Sequence, residues 1–316
     1  MTEEFRSGFV TLVGRPNVGK STLLNALLGE RIAITSHHPE TTRDRIAGIV
    51  TRESAQLVFL DTPGIHRPRH RLGERMNDVA AETAAGSDVA IFVTDVAAAP
   101  DARPREDDRA ILTTIPSKTP IILVINKIDR VKPKELLFPV LEAYQALRPE
   151  ATLVPVSALK GDGLERILDE VEKHLPEGPP LYDPEEISDK PVRFFVAEFV
   201  REQVLRRTRQ EVPHGVAVSV DTFEDGPKAT KIAVTVHVAK DSHKGIIIGD
   251  GGKMLATIGK AARERAEHLL GRRVHLTTFV RATPGWFDDP RRLQDLGYAD
   301  ERPKKTEKPR APKKSG

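Results

Sequence analysis

The segment Gly14-Arg15-Pro16-Asn17-Val18-Gly19-Lys20-Ser21 joins an apolar run, Phe9 to Val13, to a helical pattern from Thr22 to Leu28. Its spacing, G-x-x-x-x-G-K-S, is that of a phosphate-binding loop. Glycines let the backbone wrap a phosphate chain, and N–H groups of the loop and of the helix start face the anion. Such a loop needs a strand before it and a helix after it, which commits the first part of the chain to an α/β fold. Gly14, Asn17, Val18, Gly19, Lys20, Ser21 and Thr22 are the expected nucleotide contacts, with Lys20 on the outer phosphates and the Ser21 hydroxyl on a magnesium ion. The plain alternative, a chance glycine-rich turn, has no need of either flanking element.

From Phe5 to His174 strand-like apolar runs alternate with helical stretches: Phe9 to Val13, Ala47 to Thr51, Gln56 to Leu60, Val89 to Thr94, Ile121 to Ile125 and Thr152 to Val156. That rhythm predicts a doubly wound α/β sheet over residues 1–174. Residues 175–191 hold too many prolines for a helix or a central strand and read as a linker. Residues 192–298 follow a different order: a helix Val192 to Arg209, strands Gly215 to Phe223 and Thr230 to Ala239, two helices flanking Gly249 to Gly252, and a strand Val274 to Arg281. This αββααβ order predicts a smaller α+β domain. The tail, 299–316, is rich in Lys, Arg and Pro with almost nothing apolar, a composition expected to stay disordered.

The formal net charge is only +3, but it is unevenly placed: residues 1–189 carry 23 Lys/Arg against 30 Asp/Glu, and residues 190–281 carry 17 against 10. A basic second half fits a polyanionic partner such as nucleic acid, or an ordinary solvated surface. The chain has no cysteine, no signal-like start and no apolar run near the ~18 residues of a membrane span. A cytoplasmic protein is therefore expected.

Two further segments at predicted strand ends select the nucleotide. Asp61-Thr62-Pro63-Gly64 offers a carboxylate for the magnesium shell and, at Gly64, an amide to sense a γ-phosphate. Asn126-Lys127-Ile128-Asp129 is more specific, because the Asp129 carboxylate accepts two N–H donors that guanine has and adenine lacks. Ser157-Ala158-Leu159 brings a backbone amide towards the guanine carbonyl. The polar segment Thr35 to Arg43 is of the kind that orders around triphosphate and metal, with Thr42 preferred to Thr41 as the second metal hydroxyl. His37 and His38 read as exposed loop residues, and Glu106-Asp107-Asp108 as a helix start.

These elements, in this order, resemble the translation-factor-like GTPases. In Ras-like enzymes a glutamine after D-x-x-G orients the attacking water, whereas here the position is Ile65. The chain is thus similar to the hydrophobic-substituted GTPases. Members of that group with an asparagine at the Asn17 position use a potassium ion as the missing positive charge, and a loop-capping role for Asn17 is the alternative. The resemblance implies Lys20, Thr42, Gly64 and Asn17 as the catalytic set, slow turnover, and Mg²⁺ with K⁺ as cofactors. Arg43 or Arg45 as an internal arginine finger is the competing source of charge.

In the second domain Lys244-Gly245-Ile246-Ile247-Ile248-Gly249-Asp250-Gly251-Gly252-Lys253 has the apolar G-x-x-G form by which KH domains clamp four nucleotides of single-stranded nucleic acid. Lys244, Gly245, Ile248, Gly249, Gly251, Gly252 and Lys253 are the expected RNA contacts. Asp250 departs from the basic residue usual there, so either the neighbouring lysines compensate or binding relies on base contacts. Phe194, Phe195 and Phe199 read as core, and Trp286 and Phe287 as packing over their own domain. Together with the linker and the αββααβ order, which matches the type II KH fold, the chain resembles the Era family of GTPases. That resemblance implies a protein that binds GTP and GDP, hydrolyses GTP to GDP and phosphate, and holds the 3′ end of small-subunit rRNA during small ribosomal subunit assembly. It also implies a monomer with peripheral contact to the inner face of the membrane. The rival readings are a switch acting at a membrane or protein partner through the basic tail, and a GTP-stabilised RNA-binding scaffold with negligible turnover.

Overall fold

The computed structural model describes residues 4–38, 40–64, 70–96, 103–209 and 212–298. The tail 299–316 and Ile65 lie outside them. Six strands, β1 (Arg6–Val13), β2 (Ile46–Thr51), β3 (Ala55–Asp61), β4 (Val89–Asp95), β5 (Ile121–Asn126) and β6 (Thr152–Pro155), form one sheet in the order β2-β3-β1-β4-β5-β6. All neighbours are parallel except β2 and β3, a hairpin at the edge. Strands β3, β4 and β5 are buried at every position, which explains their unbroken apolar runs. Helices α1 (Lys20–Leu28) and α5 (Leu164–His174) cover one face through Leu23, Leu24, Ile167 and Val171. Helices α3 (Glu106–Thr114) and α4 (Phe138–Gln145) cover the other through Ile111, Leu112, Val140 and Tyr144. Helix α2 (Arg71–Ala85) completes this doubly wound domain.

The second domain contains α6 (Val192–Arg207), β7 (Val216–Asp225), β8 (Thr230–Val238), α7 (Asp241–Ile248), α8 (Lys253–Leu270), β9 (Val274–Ala282) and α9 (Pro290–Asp295). Its sheet runs β7-β8-β9, with β8 antiparallel to β7 and parallel to β9. Phe195 and Phe199 are core, as expected, with Phe194 packed beside them. The expected αββααβ order is present, with small differences at the ends. Helix α6 stops at Arg207, the chain turns tightly through Pro213–Gly215 before β7, and β6 ends at Pro155.

The linker is docked along the first domain. Ser7 donates its N–H to Pro176 O at 3.0 Å, and Ile49 donates to Ile187 O at 3.1 Å. The Gln56 side chain accepts from the amides of Leu181 and Tyr182 at 2.7 and 2.8 Å. Edge strand β2 would otherwise present bare N–H and C=O groups, and residues 187–189 satisfy the N–H groups of Ala47 and Ile49 and the C=O of Ala47. Trp286 packs over its own domain, as expected, against Ala217, Leu293 and Tyr298, and is also fully buried against Leu72 and Met76 of α2 in the first domain.

Candidate nucleotide and nucleic-acid sites

Residues 14–21 wrap the end of β1 and enter α1. A side chain at Gly14 would place its Cβ 2.2 Å from Val93 O, and one at Gly19 2.4 Å from Asn126 Nδ2, so both close approaches require glycine. Asn17 sits in the left-handed region at φ 64°, which asparagine tolerates. Lys20 is buried and donates from Nζ to Gly14 O at 3.0 Å and Arg15 O at 3.2 Å. Burial outweighs the attraction of Asp61 and lowers its pKa to about 8. A buried cation held only by carbonyls is the state of a lysine poised for an anion.

At the same end of the loop three oxygens converge. Ser21 Oγ donates to Asp61 Oδ2 at 2.7 Å, Thr42 Oγ1 donates to the same atom at 3.2 Å, and the two hydroxyls lie 2.9 Å apart. The other carboxylate oxygen, Asp61 Oδ1, is buried without a hydrogen-bond partner, and burial raises the Asp61 pKa. A cluster of hard oxygen donors with an orphaned carboxylate oxygen fits Mg²⁺, which prefers oxygen and retains several of its waters. Thr41 is turned elsewhere, donating to His38 O at 2.6 Å.

The base end is assembled across three loops. Asn126 donates from Nδ2 to Val18 O at 2.9 Å and accepts at Oδ1 from the amides of Lys127 and Ala158 at 2.7 and 3.1 Å. One side chain thereby fixes the phosphate loop, its own loop and the Ser157–Leu159 segment together. Lys127 Nζ donates to Asn17 O at 2.7 Å and pairs with Asp95. Ser157 Oγ donates to Asp129 Oδ1 at 2.6 Å, and this bond is the chief cause of a lowered Asp129 pKa. The phosphate and base ends share one cavity of about 680 Å³, lined by Asn17, Gly19 to Thr22, Thr35 to His38, Glu40 to Thr42, Gly64, Asn126, Lys127, Asp129, Ala158 and Leu159.

Gly64 meets the loop from the far side, and a Cβ there would lie 2.9 Å from Pro16 N. His37 is exposed as expected, and its carbonyl accepts from Asn17 Nδ2 at 3.0 Å. The cavity also has a wall that the sequence did not announce. Leu205 and Arg206 of α6 line it. Helix α6 grips the Thr35–Thr42 segment at both ends, through Glu202, which accepts from Thr35 N at 2.9 Å, and Arg201, which donates to Thr41 O.

One expectation for charged residues is corrected and another extended. Arg43 and Arg45 were the candidate arginine fingers, but Arg43 is buried in the domain interface, donating to Val216 O at 2.5 Å and His214 O at 3.2 Å with its guanidinium over Trp286. Arg45 pairs with Asp189 of the linker at 3.5 Å. Glu106-Asp107-Asp108 does start α3, but Asp108 is also fully buried, accepting from Arg15 Nε at 2.7 Å, Thr94 at 2.9 Å and Tyr144 at 2.6 Å. It anchors the phosphate loop through Arg15.

In the second domain α7 ends at Ile248, the chain turns through Gly249 to Gly252, and α8 begins at Lys253. A Cβ on Gly249 would lie 2.5 Å from that of Met254, whereas Gly245, Gly251 and Gly252 face open space. Lys253 pairs with Asp250 at 3.2 Å and Lys244 with Asp241 at 3.5 Å, so two of the lysines expected to offset Asp250, Lys260 being the third, already have a carboxylate neighbour. Both pairs are solvated and weak, and phosphate can compete for them.

Comparisons with known proteins agree with this architecture. A family model described as 50S ribosome-binding GTPase matches residues 9–127, and a KH domain model matches residues 211–287. GTPase Era of Clostridium acetobutylicum is 46% identical over 295 residues, 93% of this chain and 98% of that protein. GTPase Era of Geotalea uraniireducens is 46% identical over 301 residues, 94% and 100% of the two chains. A crystal structure of Era in complex with MgGDPNP and nucleotides 1506–1542 of 16S ribosomal RNA has a TM-score of 0.89 at 39% identity and covers 94% of this chain and 100% of its own. With relatives this similar over nearly its whole length, this chain belongs to the Era family of GTPases.

Proposed function

We propose that this GTPase uses its bound nucleotide to control how the KH domain holds the 3′ region of small-subunit rRNA, and that it assists small ribosomal subunit assembly in this way. One observation carries the reading: Ser21 and Thr42, whose hydroxyls both bond Asp61, line a single cavity with Asn126, Asp129 and Ala158, and that cavity also touches α6 of the second domain. The Era complex with MgGDPNP and 16S rRNA supports the choice of nucleotide, metal and RNA.

In this reading Lys20 leaves its two carbonyl partners for the phosphates, and the loop amides from Gly14 to Thr22 close around them. Ser21, Thr42 and Asp61 hold Mg²⁺, which neutralises charge on the phosphates. Thr42 and Gly64 close on the γ-phosphate, drawing residues 35–42 with them. Asp129 accepts the two guanine donors, and the Ser157, Ala158 and Leu159 segment takes the carbonyl. Asn17 supplies an amide oxygen to K⁺, a role favoured by the removal of Arg43 and Arg45 from the phosphates. Lys244, Gly245, Ile248, Gly249, Gly251, Gly252 and Lys253 form the RNA cleft, where the glycines let a phosphate backbone approach.

We further propose that the protein acts as a cytoplasmic monomer, the basic tail being the segment for any contact with the membrane's inner face. Among the described residues no helix is long and apolar enough to cross a membrane. Single-turnover GTP hydrolysis by the full chain in K⁺ and in Na⁺ tests the catalytic part. Hydrolysis should be faster in K⁺, and Asn17→Ala should remove the difference. Equal rates in the two salts would exclude the ion.

A further inference from the structure

The cavity wall formed by α6 comes from the KH domain, yet its polar groups belong to the nucleotide side. Arg206, one position after Leu205 on that wall, donates to Thr35 Oγ1 at 3.0 Å and to Thr35 O at 3.4 Å. It also pairs with Glu202 at 2.9 Å, four residues earlier on the helix. Glu202 is fully buried and held in addition by Thr35 N and by Arg265, whose other end reaches Arg31 O. The Arg206 side chain keeps 40% of its surface exposed. A guanidinium oriented by a rigid buried carboxylate, but still open on the cavity side, meets an anionic ligand with little further loss of side-chain freedom.

We propose that Arg206 is a positioning residue for the guanine nucleotide, supplied in cis by the KH domain. This rests on the nucleotide reading above. Its partner Thr35 lies at the opposite end of the Thr35–Thr42 segment from the hydroxyl that joins Ser21 and Asp61. Arg206 therefore serves the part of the ligand that GDP and GTP share, away from the γ-phosphate. A lysine could match the charge but not the fork that bonds Glu202, Thr35 and the ligand at once. Linkage makes the contact reciprocal, so a nucleotide that gains affinity from Arg206 strengthens the docking of α6 on residues 35–41 by the same factor.

The test is equilibrium binding of fluorescent GDP and of a non-hydrolysable fluorescent GTP analogue to the full chain as wild type, Arg206→Ala, Arg206→Lys and Arg206→Gln. Removing one charge-assisted contact at a half-open site should weaken both ligands by about tenfold. The two losses should agree within about twofold, with Arg206→Lys recovering only part. Thermal unfolding without nucleotide identifies a variant that folds poorly, and if Arg206→Ala does, Arg206→Gln carries the same comparison. Unchanged affinity in a folded variant, or a loss confined to the triphosphate, overturns the assignment while leaving the nucleotide reading intact. Failure of the wild type to bind either ligand would overturn both.

Discussion

In the proposed function, base selection rests on a single carboxylate, that of Asp129. The Ser157 hydroxyl holds one Asp129 oxygen and keeps the group ionised, leaving it an acceptor only, which guanine satisfies. Replacing Asp129 with Asn puts a donor against a donor. Two charge-assisted bonds of roughly 1.5–3 kcal/mol each are disturbed, so GTP affinity should fall by at least about 100-fold and preference should move towards XTP. Competition binding with the two nucleotides measures this, and retained guanine preference would overturn the role given to Asp129.

Titration of a second residue reaches stability. His237 lies between Ser219 Oγ at 3.0 Å and Thr283 Oγ1 at 2.9 Å, and burial, then Arg281, lower its pKa below the ordinary 6.5. In the pH range just below 6.5 the unfolded chain thus binds the proton that the folded one refuses. The contribution is complete above pH 6.5 and is lost as pH falls through the folded value. Chemical denaturation from pH 7.5 to 5 should show stability falling with pH, less steeply in His237→Asn. Parallel slopes would remove His237 as the cause.

At the scale of elements, the sequence made legible what is local and hid what is distant. The phosphate loop and the Asn126–Asp129 segment could be read because their chemistry lies within a few consecutive residues at the end of an apolar strand. The αββααβ order followed equally from short-range periodicity. Asp108 could not be read that way, because its partner Arg15 is 93 residues away and three acids in a row at a helix start have an adequate local explanation. The grip of α6 on Thr35 spans 167 residues, and nothing near Glu202 in the sequence marks it. Arg43 was misread because a lone arginine beside the Thr42 segment looks catalytic until the aromatic pocket formed by Trp286 and Tyr298 is known. That pocket is an energetic centre. Trp286 is fully buried, donates to Gly215 O at 3.1 Å and joins α2 to the second domain. Truncating it to Ala should cost about 3 kcal/mol, the lower end for a buried Trp. Denaturant unfolding measures the loss, and one under about 1 kcal/mol would show that the interface does not depend on this residue.

For the whole molecule, the arrangement of contacts makes the Thr35–Thr42 segment the shared part of two machines. One end of it meets Ser21 and Asp61, and its backbone is held by Arg201 and Glu202 of α6. In the proposed function, ordering Thr42 around a γ-phosphate would therefore alter the docking of α6, and α6 packs against α8, the helix that starts at the G-x-x-G turn. A ligand can shift the domains only by the difference in its affinity for the two arrangements. The measurement that bears most directly on this coupling is the affinity of a single-stranded RNA carrying the 3′ end of small-subunit rRNA for the full chain, saturated with a non-hydrolysable GTP analogue or with GDP, each with Mg²⁺. The account predicts tighter, salt-sensitive binding in the triphosphate state, by about fivefold or more. Equal affinity in both nucleotide states would contradict it.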